Sequence, residues 1–211
     1  MNRQEPFVIT VSREIGSGGR TVGRILAEKL NIPFYDRYLI EALEKKFNLT
    51  VEEIEKMKGE KKGWLANLIR YYSPAPSPAG FGVSPEEENG VHVTTDTLYR
   101  AEKEIIQELA AENSCVIAGR SGFWLLKDHP NHLDVFITAP LTRRIRRVML
   151  KQGLDEDSAA TLVKNIDKAR ENYIQRYAGV SRYDARNYDL IINADDHSEE
   201  QIAGIILNYI G

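Results

Sequence analysis

The sequence predicts an α/β fold in which a five-stranded parallel sheet carries helices on both faces. Five short runs of apolar and β-branched residues are typical of buried strands. Segments with apolar residues at helical spacing separate these runs, and this alternation favours parallel strands joined by right-handed crossovers. A chain of 211 residues with 42% hydrophobic and 28% charged residues fits one such domain. The predicted strands are residues 7–11, 32–35, 115–118, 133–138 and 190–192.

The first strand leads into a glycine-rich turn and then into a helix. The turn, residues 12–21, has the sequence SREIGSGGRT, and the helix after it extends to Leu30. Glycines let backbone N–H groups curl around an anion, and the N–H groups at a helix start point at it. This context predicts a phosphate-binding loop, while an ordinary glycine-rich turn without a ligand fits the same spacing.

The second strand is followed directly by Asp36 and Arg37, and then by a helix to about residue 47. Residues at the carboxyl ends of parallel strands point into the crevice that binds ligands. We therefore expect Asp36 and Arg37 to contact a substrate. Capping of the following helix is an equally good role for Asp36, and the two roles are compatible.

Residues 50–93 interrupt the alternation of strands and helices. A capping box opens the segment, and residues 73–90 are rich in proline and glycine. Long irregular stretches inside compact domains tend to be functional or disordered. We favour an inserted mobile lobe over a surface excursion without a role, because the aromatic residues of the segment give it apolar surface.

The alternation of strands and helices continues in the rest of the chain, and the third strand is also followed by a glycine and a charged residue. Gly119 and Arg120 directly follow the third strand, so they are expected at the ligand edge of the sheet. The predicted elements are a helix over 95–112, a helical turn over 123–126, a helix from about 140 to a break at 153, a helix over 155–177 and a last helix capped by residues 198–201.

Arginine and lysine concentrate in two helices, near residues 143–151 and 164–176. Arg143 lies one helical turn from both Arg146 and Arg147, so several guanidinium groups share a side. Like charges this close repel one another, and a bound polyanion would relieve the repulsion. A solvated basic face is the alternative for an isolated run of this kind.

Composition excludes several classes of function. A formal net charge of −3 gives no bulk attraction to nucleic acid or acidic membranes. The single cysteine, Cys115, lies in an apolar run, which predicts a buried, inert thiol. The first residues lack the apolar core of a signal peptide, and no apolar run approaches membrane-spanning length, so we expect a cytoplasmic protein.

Taken in order, these segments resemble the cytidylate kinase-like family of P-loop nucleoside monophosphate kinases, with a degenerate P-loop. The resemblance covers most of the chain outside the insert. The motifs that carry it are VITV at 8–11, FYDR at 34–37, VIAGR at 116–120, DVFITAP at 134–140, RRIRR at 143–147, the helix from DKAR to RY at 167–177, and YDLIIN at 188–193.

The resemblance implies one P-loop kinase-like domain in three parts. These are a core of residues 1–37 and 94–211, an inserted acceptor-binding lobe at about 38–93 and a lid at about 151–158. It also implies transfer of the γ-phosphoryl group of ATP to a nucleoside monophosphate, with Mg²⁺. The expected partners are therefore ATP and a small nucleotide, and neither nucleic acid nor a membrane.

The resemblance further implies three groups of site residues. Phosphoryl transfer needs alignment and well-placed cations rather than covalent chemistry, and arginine pairs with phosphate oxygens through its planar fork. The residues expected at the donor phosphates are Ser12, Arg13, Gly16, Ser17, Gly18, Gly19 and Thr21, with Thr21 facing the metal. The residues expected at the acceptor are Asp36, Arg37, Gly119 and Arg120. The residues expected to contact the transferring phosphoryl group are Arg143, Arg170 and Arg176. We add Arg20 to this catalytic group as our own hypothesis, from its position beside the vacated lysine.

The glycine-rich turn departs from the usual G-x-x-x-x-G-K-[ST] pattern. Arg13 stands at the opening glycine, Gly19 at the lysine, and Arg20 where the kinase version has a further glycine. The sequence 118–121 also lacks both aspartates of the Asp-Gly-Arg-Asp found in cytidylate kinases. We hypothesise that Arg20 or Arg13 supplies the missing charge, with Arg20 favoured because it adjoins the vacated position.

Three functions stay open on these observations. The first is a nucleoside monophosphate kinase acting on a cytidylate-like acceptor. The second is a nucleotide-binding pseudokinase or regulatory protein without phosphoryl transfer, which the degenerate loop favours. The third is a kinase for another small hydroxyl or phosphate compound, since P-loop kinases share one core. The retained arginines favour the first.

Overall fold

The sheet consists of five parallel strands in the spatial order β2-β3-β1-β4-β5. The computed structural model describes residues 1–36 and 95–211, and the labels below number the elements within those residues. The strands are β1 (Val8–Arg13), β2 (Phe34–Tyr35), β3 (Cys115–Ala118), β4 (His132–Thr138) and β5 (Leu190–Asn193). The helices are α1 (Gly19–Leu30), α2 (Thr95–Glu112), α3 (Gly122–Leu125), α4 (Leu141–Gln152), α5 (Glu156–Ala178) and α6 (Glu199–Ile210), with a 3-10 turn at Ala185–Asn187.

The predicted fold class is confirmed, and β1 is its central strand. Val11 of β1 pairs with Ala118 of β3 on one side and with Val135 of β4 on the other. The strands all run the same way, so their carboxyl ends meet at one edge of the sheet. The segments that follow β1, β2, β3 and β4 therefore lie side by side.

Two apolar layers cover the two faces of the sheet, because successive strand residues point to opposite sides. Ile9 belongs to the layer that α1 and α6 complete, and Val8 to the layer that α2 and α3 complete. Cys115 lies in the second layer, and burial raises the pKa of its thiol to about 12, in line with the predicted inert thiol. The sheet is thus closed on both faces and open at its carboxyl edge.

A third apolar cluster fixes α4 and α5 against that edge. Ile15, which follows β1, is buried among Val148 of α4 and Leu162, Val163 and Ile166 of α5. One apolar side chain of the glycine-rich turn thereby anchors the two basic helices. This packing brings their charged faces toward the turn.

Strand ends differ from the predicted bounds by a few residues. β1 continues through Ser12 and Arg13, beyond the predicted end at residue 11, because these residues pair with Phe136 and Ile137 of β4. β2 is limited to Phe34–Tyr35, with Pro33 preceding it. Pairing with a neighbouring strand determines where β1 and β2 end, and the local sequence carries no signal for that pairing.

The helix ends follow the predicted signals. Gly153 ends α4 in the left-handed conformation, with φ 66°, as predicted from its position. Asp155 caps α5 by accepting from the N–H of Ser158 at 2.8 Å. Ser198 and Gln201 form the capping box predicted for the last helix. The turn between α4 and α5 is therefore only residues 153–155.

Several predicted features lie outside the described residues. They are Arg37, the helix predicted to about residue 47, and the inserted segment with its proline- and glycine-rich stretch. Within residues 1–36 and 95–211, no helix combines the length and apolar character that crossing a bilayer requires.

Candidate active site

The turn between β1 and α1 is a tight loop at the carboxyl edge of the sheet. Gly16 and Gly18 have φ of 82° and 92°, a region that favours glycine. A Cβ atom on Gly16 would lie 2.6 Å from the carbonyl oxygen of Arg144, so the loop backbone packs directly on α4. The N–H and hydroxyl of Ser17 donate to the carbonyl of Glu14 at 3.3 and 2.9 Å. Glycine at position 16 is thus required by conformation and by contact.

The loop delivers the chain to a helix start that no side chain caps. α1 begins at Gly19, and its N-cap residue Gly18 carries no capping side chain. The first turn of α1 contains no acidic residue. The first N–H groups of a helix have no partner within it, and the helix dipole adds positive potential at this end. Such a helix start favours binding of an anion.

A pocket opens at this helix start, and α4 supplies two cations to it. Arg147 and Lys151 lie one turn apart on α4 and face the loop. Arg147 also forms an ion pair with Glu199 of α6. Partial burial raises the pKa of Glu199, but the hydrogen bond from Arg147 and the charges of Arg147 and Arg143 together outweigh this effect, so the pKa lies below its usual value. The pocket is lined by Arg13, Glu14, Ile15, Gly16, Gly18, Gly19, Arg20, Thr21, Arg147 and Lys151.

Asp167 of α5 connects the loop to its basic neighbours. Its carboxylate accepts from the N–H of Ile15 at 3.1 Å and from Nη1 of Arg144 at 2.5 Å. Arg170 and Arg182 approach the same carboxylate at 3.7 and 3.6 Å. Asp167 is buried, so these charges interact with little screening by water. One carboxylate therefore orders a loop amide and three guanidinium groups.

The carbonyl oxygen of Arg13 is a second anchor for the same arginines. It accepts from Nη2 of Arg182 at 2.5 Å and from Nη1 of Arg170 at 3.3 Å. Burial lowers the pKa of Arg182, and the neighbouring charge of Arg170 lowers it further. The buried cation is stabilised by Asp167 and by this carbonyl. The start of the loop is thus held by charge-assisted hydrogen bonds, which are the stronger kind.

Glu14 ties the loop to the end of β4. Its carboxylate accepts from the hydroxyl of Thr138 and from the N–H of Ala139, the latter at 3.3 Å. Arg144 lies 3.4 Å from the same carboxylate and donates to the carbonyl of Ala139 at 3.0 Å. Arg144 therefore bridges Glu14 and Asp167 beneath the loop.

Asp36, at the end of β2, holds two arginines of the loop. Its Oδ1 lies 3.2 Å from Nη2 of Arg13, and its Oδ2 accepts from Nε of Arg20. Asp36 is only 8% exposed. The two arginines and the carboxylate together carry a net positive charge at the ends of β1 and β2.

The segment after β3 has unusual backbone geometry. Gly119, Arg120 and Ser121 have φ of 74°, 56° and 58°, so two non-glycine residues adopt the left-handed region in succession. Such strained backbone clusters at functional sites. Arg120 lies 3.7 Å from the buried carboxylate of Glu102 on α2, which also accepts from the hydroxyl of Tyr173. Burial is the main reason that the pKa of Tyr173 is raised.

The structure brings most of the predicted site residues to one edge. The loop residues from Arg13 to Thr21 meet Asp36 and Gly119 there, and Arg120 follows Gly119 and faces Glu102. Ser17 bonds within the loop, and Ser12 lies buried in β1 beside Tyr188. Arg170 joins the edge through Asp167 and the carbonyl of Arg13.

Two predicted arginines make other contacts. Arg143 donates to the carbonyls of Asp195 and His197 in the segment between β5 and α6. Arg176 is exposed and lies 3.4 Å from Asp96 at the start of α2. Neither residue is among those that line the described pocket. A contact of either with the transferring phosphoryl group stays a prediction.

Six residues of the site lay outside the prediction. Helical spacing marks Arg143 to Arg147 as a basic cluster, but it does not say which member faces inward. No local sequence pattern marks Glu14 and Asp167 as site residues, because the arginines that they contact are distant in sequence. The six residues are Glu14, Arg144, Arg147, Lys151, Asp167 and Arg182.

Comparison with known proteins agrees with this geometry. The sequence model of the cytidylate kinase-like family matches residues 8–196. The chain is 23% identical to a cytidylate kinase of Sulfolobus acidocaldarius, over 96% of this chain and 93% of that protein. It is 25% identical to a cytidylate kinase of Methanosarcina acetivorans, over 94% and 93% of the two chains.

Solved structures give the same fold. An uncharacterized protein from Eubacterium ventriosum superposes with a TM-score of 0.70 at 25% identity, over 97% of this chain and 98% of that one. A shikimate kinase from Bacteroides thetaiotaomicron superposes with a TM-score of 0.55 at 18% identity, over 97% and 98% of the two chains, which speaks for the fold alone. The chain belongs to the cytidylate kinase-like family and is a kinase-type phosphotransferase with the P-loop fold.

Proposed function

We propose that the chain transfers the γ-phosphoryl group of ATP to a nucleoside monophosphate of the cytidylate type. The observation that carries the proposal is the uncapped start of α1, which faces a pocket with two cations from α4. The relatives named cytidylate kinase support the acceptor class, since they align along nearly the whole chain.

The donor phosphates would lie against the start of α1. Backbone N–H groups of Gly18, Gly19 and Arg20 would contact the phosphate oxygens, with Arg147 and Lys151 opposite them, while the N–H of Thr21 donates to the carbonyl of Gly18. Arg147 would exchange its contact with Glu199 for a phosphate oxygen. The usual lysine is absent at position 19, so α4 would supply the cations of the donor side.

Mg²⁺ fits this pocket as an ion brought in by the nucleotide. Mg²⁺ prefers oxygen ligands and keeps several waters, and it usually binds through substrate phosphates and a few protein oxygens. The hydroxyl of Thr21 lines the pocket and would be such a ligand. The ion would neutralise charge on the phosphate oxygens. The carboxylates of Asp36 and Asp167 are engaged by arginines and are poorer ligands.

The acceptor would bind where β2 and β3 end. Asp36, Gly119 and Arg120 lie there, and Arg37 follows outside the described residues. An oxygen of the acceptor phosphate would form a bond to the γ-phosphorus while the bond from that phosphorus to the β–γ bridging oxygen breaks. The bridging oxygen keeps the electron pair, so the products are ADP and a nucleoside diphosphate.

Arginines near the loop would serve this transfer by position and charge. Arg170 lies against the loop and would contact the transferring phosphoryl group, while Arg144 and Arg182 hold the loop in place. The segment at about 151–158, which includes the turn between α4 and α5, would act as a short lid, and Lys151 at its start would move with it toward the donor. Water excluded by such closure could not hydrolyse the nucleotide.

The test is a coupled assay for ADP release across a panel of nucleoside monophosphates. We expect turnover with Mg²⁺, highest for a cytidine nucleotide. Lys151→Met should raise the KM for ATP roughly tenfold, since one charge-assisted contact is lost. Lys168→Met, at an exposed position of α5, is the matched control and should leave the KM unchanged. ATP binding without ADP release for any acceptor would favour the regulatory alternative.

A further inference from the structure

Two departures from the usual phosphate loop are in contact with each other. Arg13 stands at the opening glycine and Gly19 at the lysine. A Cβ atom on Gly19 would lie 2.6 Å from Cβ of Arg13 and 3.1 Å from its Cγ. The first distance is shorter than real Cβ contacts allow, and it involves the inflexible base of the Arg13 side chain. A side chain at position 19 and the stem of Arg13 therefore exclude one another.

The side chain of Arg13 crosses the carboxyl edge of the sheet from β1 toward β2. It passes Gly19 and then Gly119 at the end of β3, where a Cβ atom would overlap its Nη1. Its Nη2 ends 3.2 Å from Oδ1 of Asp36. Arg13 is 9% exposed, and its Nε has no hydrogen-bond partner among the described residues. Two glycines thus form the channel that this side chain occupies.

We propose that Arg13 and Gly19 are two halves of one exchange. Arginine replaces the usual glycine at position 13, glycine replaces the usual lysine at position 19, and the cation of the phosphate loop thereby moves from the donor side to the acceptor side. The usual loop carries its cation on the flexible stem of a lysine at the helix start. Here the cation comes from the strand end and lies beside Gly119 and Asp36. This inference rests on the proposed function, because the acceptor phosphate would meet that charge.

The contacts of the two arginines favour Arg13 over Arg20 in this role. Asp36 fixes the Arg13 guanidinium, and a fixed planar fork loses little freedom when it binds a phosphate. The side chain of Arg20 is 40% exposed, so solvent screens its charge more strongly. Asp36 keeps Arg20 as a partner when Arg13 is replaced, which should allow variants at position 13 to fold.

The first experiment tests the contact through thermal unfolding. Gly19→Ala should lower the Tm of the wild type by roughly 3–10 °C, because a methyl group is forced against Arg13. The same change should leave the Tm unchanged or raised in an Arg13→Gly background, where the stem is absent. It should stay destabilising in an Arg13→Ala background, which retains Cβ. An equal loss in all three backgrounds would overturn the exchange.

The second experiment tests the charge through equilibrium binding of cytidine monophosphate and of ATP with Mg²⁺. Arg13→Met keeps the stem and should weaken binding of the monophosphate roughly ten- to hundredfold, with ATP affinity unchanged within about twofold. Arg13→Lys should recover part of the loss. Lys151→Met should show the opposite pattern, with the loss on ATP.

The outcomes separate this inference from the proposed function. A loss of ATP affinity in Arg13→Met with monophosphate binding intact would overturn the acceptor-side assignment alone. A wild-type chain that binds neither nucleotide would overturn the proposed function and the role of the Arg13 charge with it. The Tm comparison at position 19 would still decide whether the two residues exclude each other.

Discussion

Replacing Asp167 by asparagine should destabilise the chain more than any other substitution of a carboxylate by its amide on α5. The variant keeps the shape of the side chain and one oxygen, which can still accept from the N–H of Ile15. It removes the negative charge that faces Arg144 at 2.5 Å and Arg182 at 3.6 Å. Breaking a buried ion pair costs about 3–5 kcal/mol, because the other charge stays buried.

We expect a loss near the lower limit, about 3 kcal/mol, because Arg144 keeps Glu14 and Arg182 keeps the carbonyl of Arg13. For a chain of this length that corresponds to a fall in Tm of roughly 6–12 °C. The assay is urea unfolding followed by circular dichroism, with the midpoint and slope both fitted.

Asp157→Asn is the matched control for this variant. Asp157 lies exposed in the first turn of the same helix, so its loss should cost only about 0.3–1 kcal/mol through the helix dipole. If the two variants lost the same stability, Asp167 would not be the centre of a buried charge network and the account of the loop anchor would fail.

The remaining predictions concern one titration, one backbone position and one thiol. Burial raises the pKa of Asp134 to about 6, so its contribution to stability is complete below about pH 4 and is lost as the pH rises through 6. Urea titrations should show a fall on the order of 2–3 kcal/mol from this group between pH 4 and 7. Asp134→Asn should remove this fall in stability, and a variant with the same pH profile as the wild type would contradict the prediction. Gly16→Ala should cost about 1–3 kcal/mol more than Gly153→Ala, because only the former meets the Arg144 carbonyl although both have positive φ; equal losses in Tm would contradict the close packing. Cys115 should react with a thiol reagent only after unfolding, since burial raises its pKa to about 12, and rapid labelling of the native chain would refute its burial.

Local sequence patterns were sufficient for the elements of the sheet and its helices. The helix Thr95–Glu112 and the strand Cys115–Ala118 agree with the predicted bounds. The helix has apolar residues at helical spacing because one face is buried, and the strand is apolar throughout because both of its faces are buried. The position of the glycine-rich loop followed from the order of strand, glycines and helix. These features depend on neighbours along the chain.

The charge network could not be predicted, because its partners are distant in sequence. Asp167 lies in a run of charged residues that is typical of a solvated helix, yet tertiary contacts bury it. Helical spacing also fails to distinguish adjacent arginines. Arg144 faces Asp167 and is buried, while Arg143 bonds to carbonyls after β5.

The position of Arg13 illustrates the same limit at the end of a strand. A charged residue beside glycines is typical of an exposed loop, and the predicted strand ended before it. Pairing with Ile137 keeps it in β1, and Asp36 makes its burial tolerable. Neither contact has a signature in the residues beside Arg13.

The central claim is that the start of α1 holds the phosphates of a nucleotide, and a crystal structure with a non-hydrolysable ATP analogue and Mg²⁺ tests it most directly. We expect the terminal phosphates within hydrogen-bond distance of the backbone N–H groups of residues 18–20, with Arg147 turned from Glu199 toward them. Phosphates bound elsewhere, with the loop empty and Arg147 still paired to Glu199, would contradict the account.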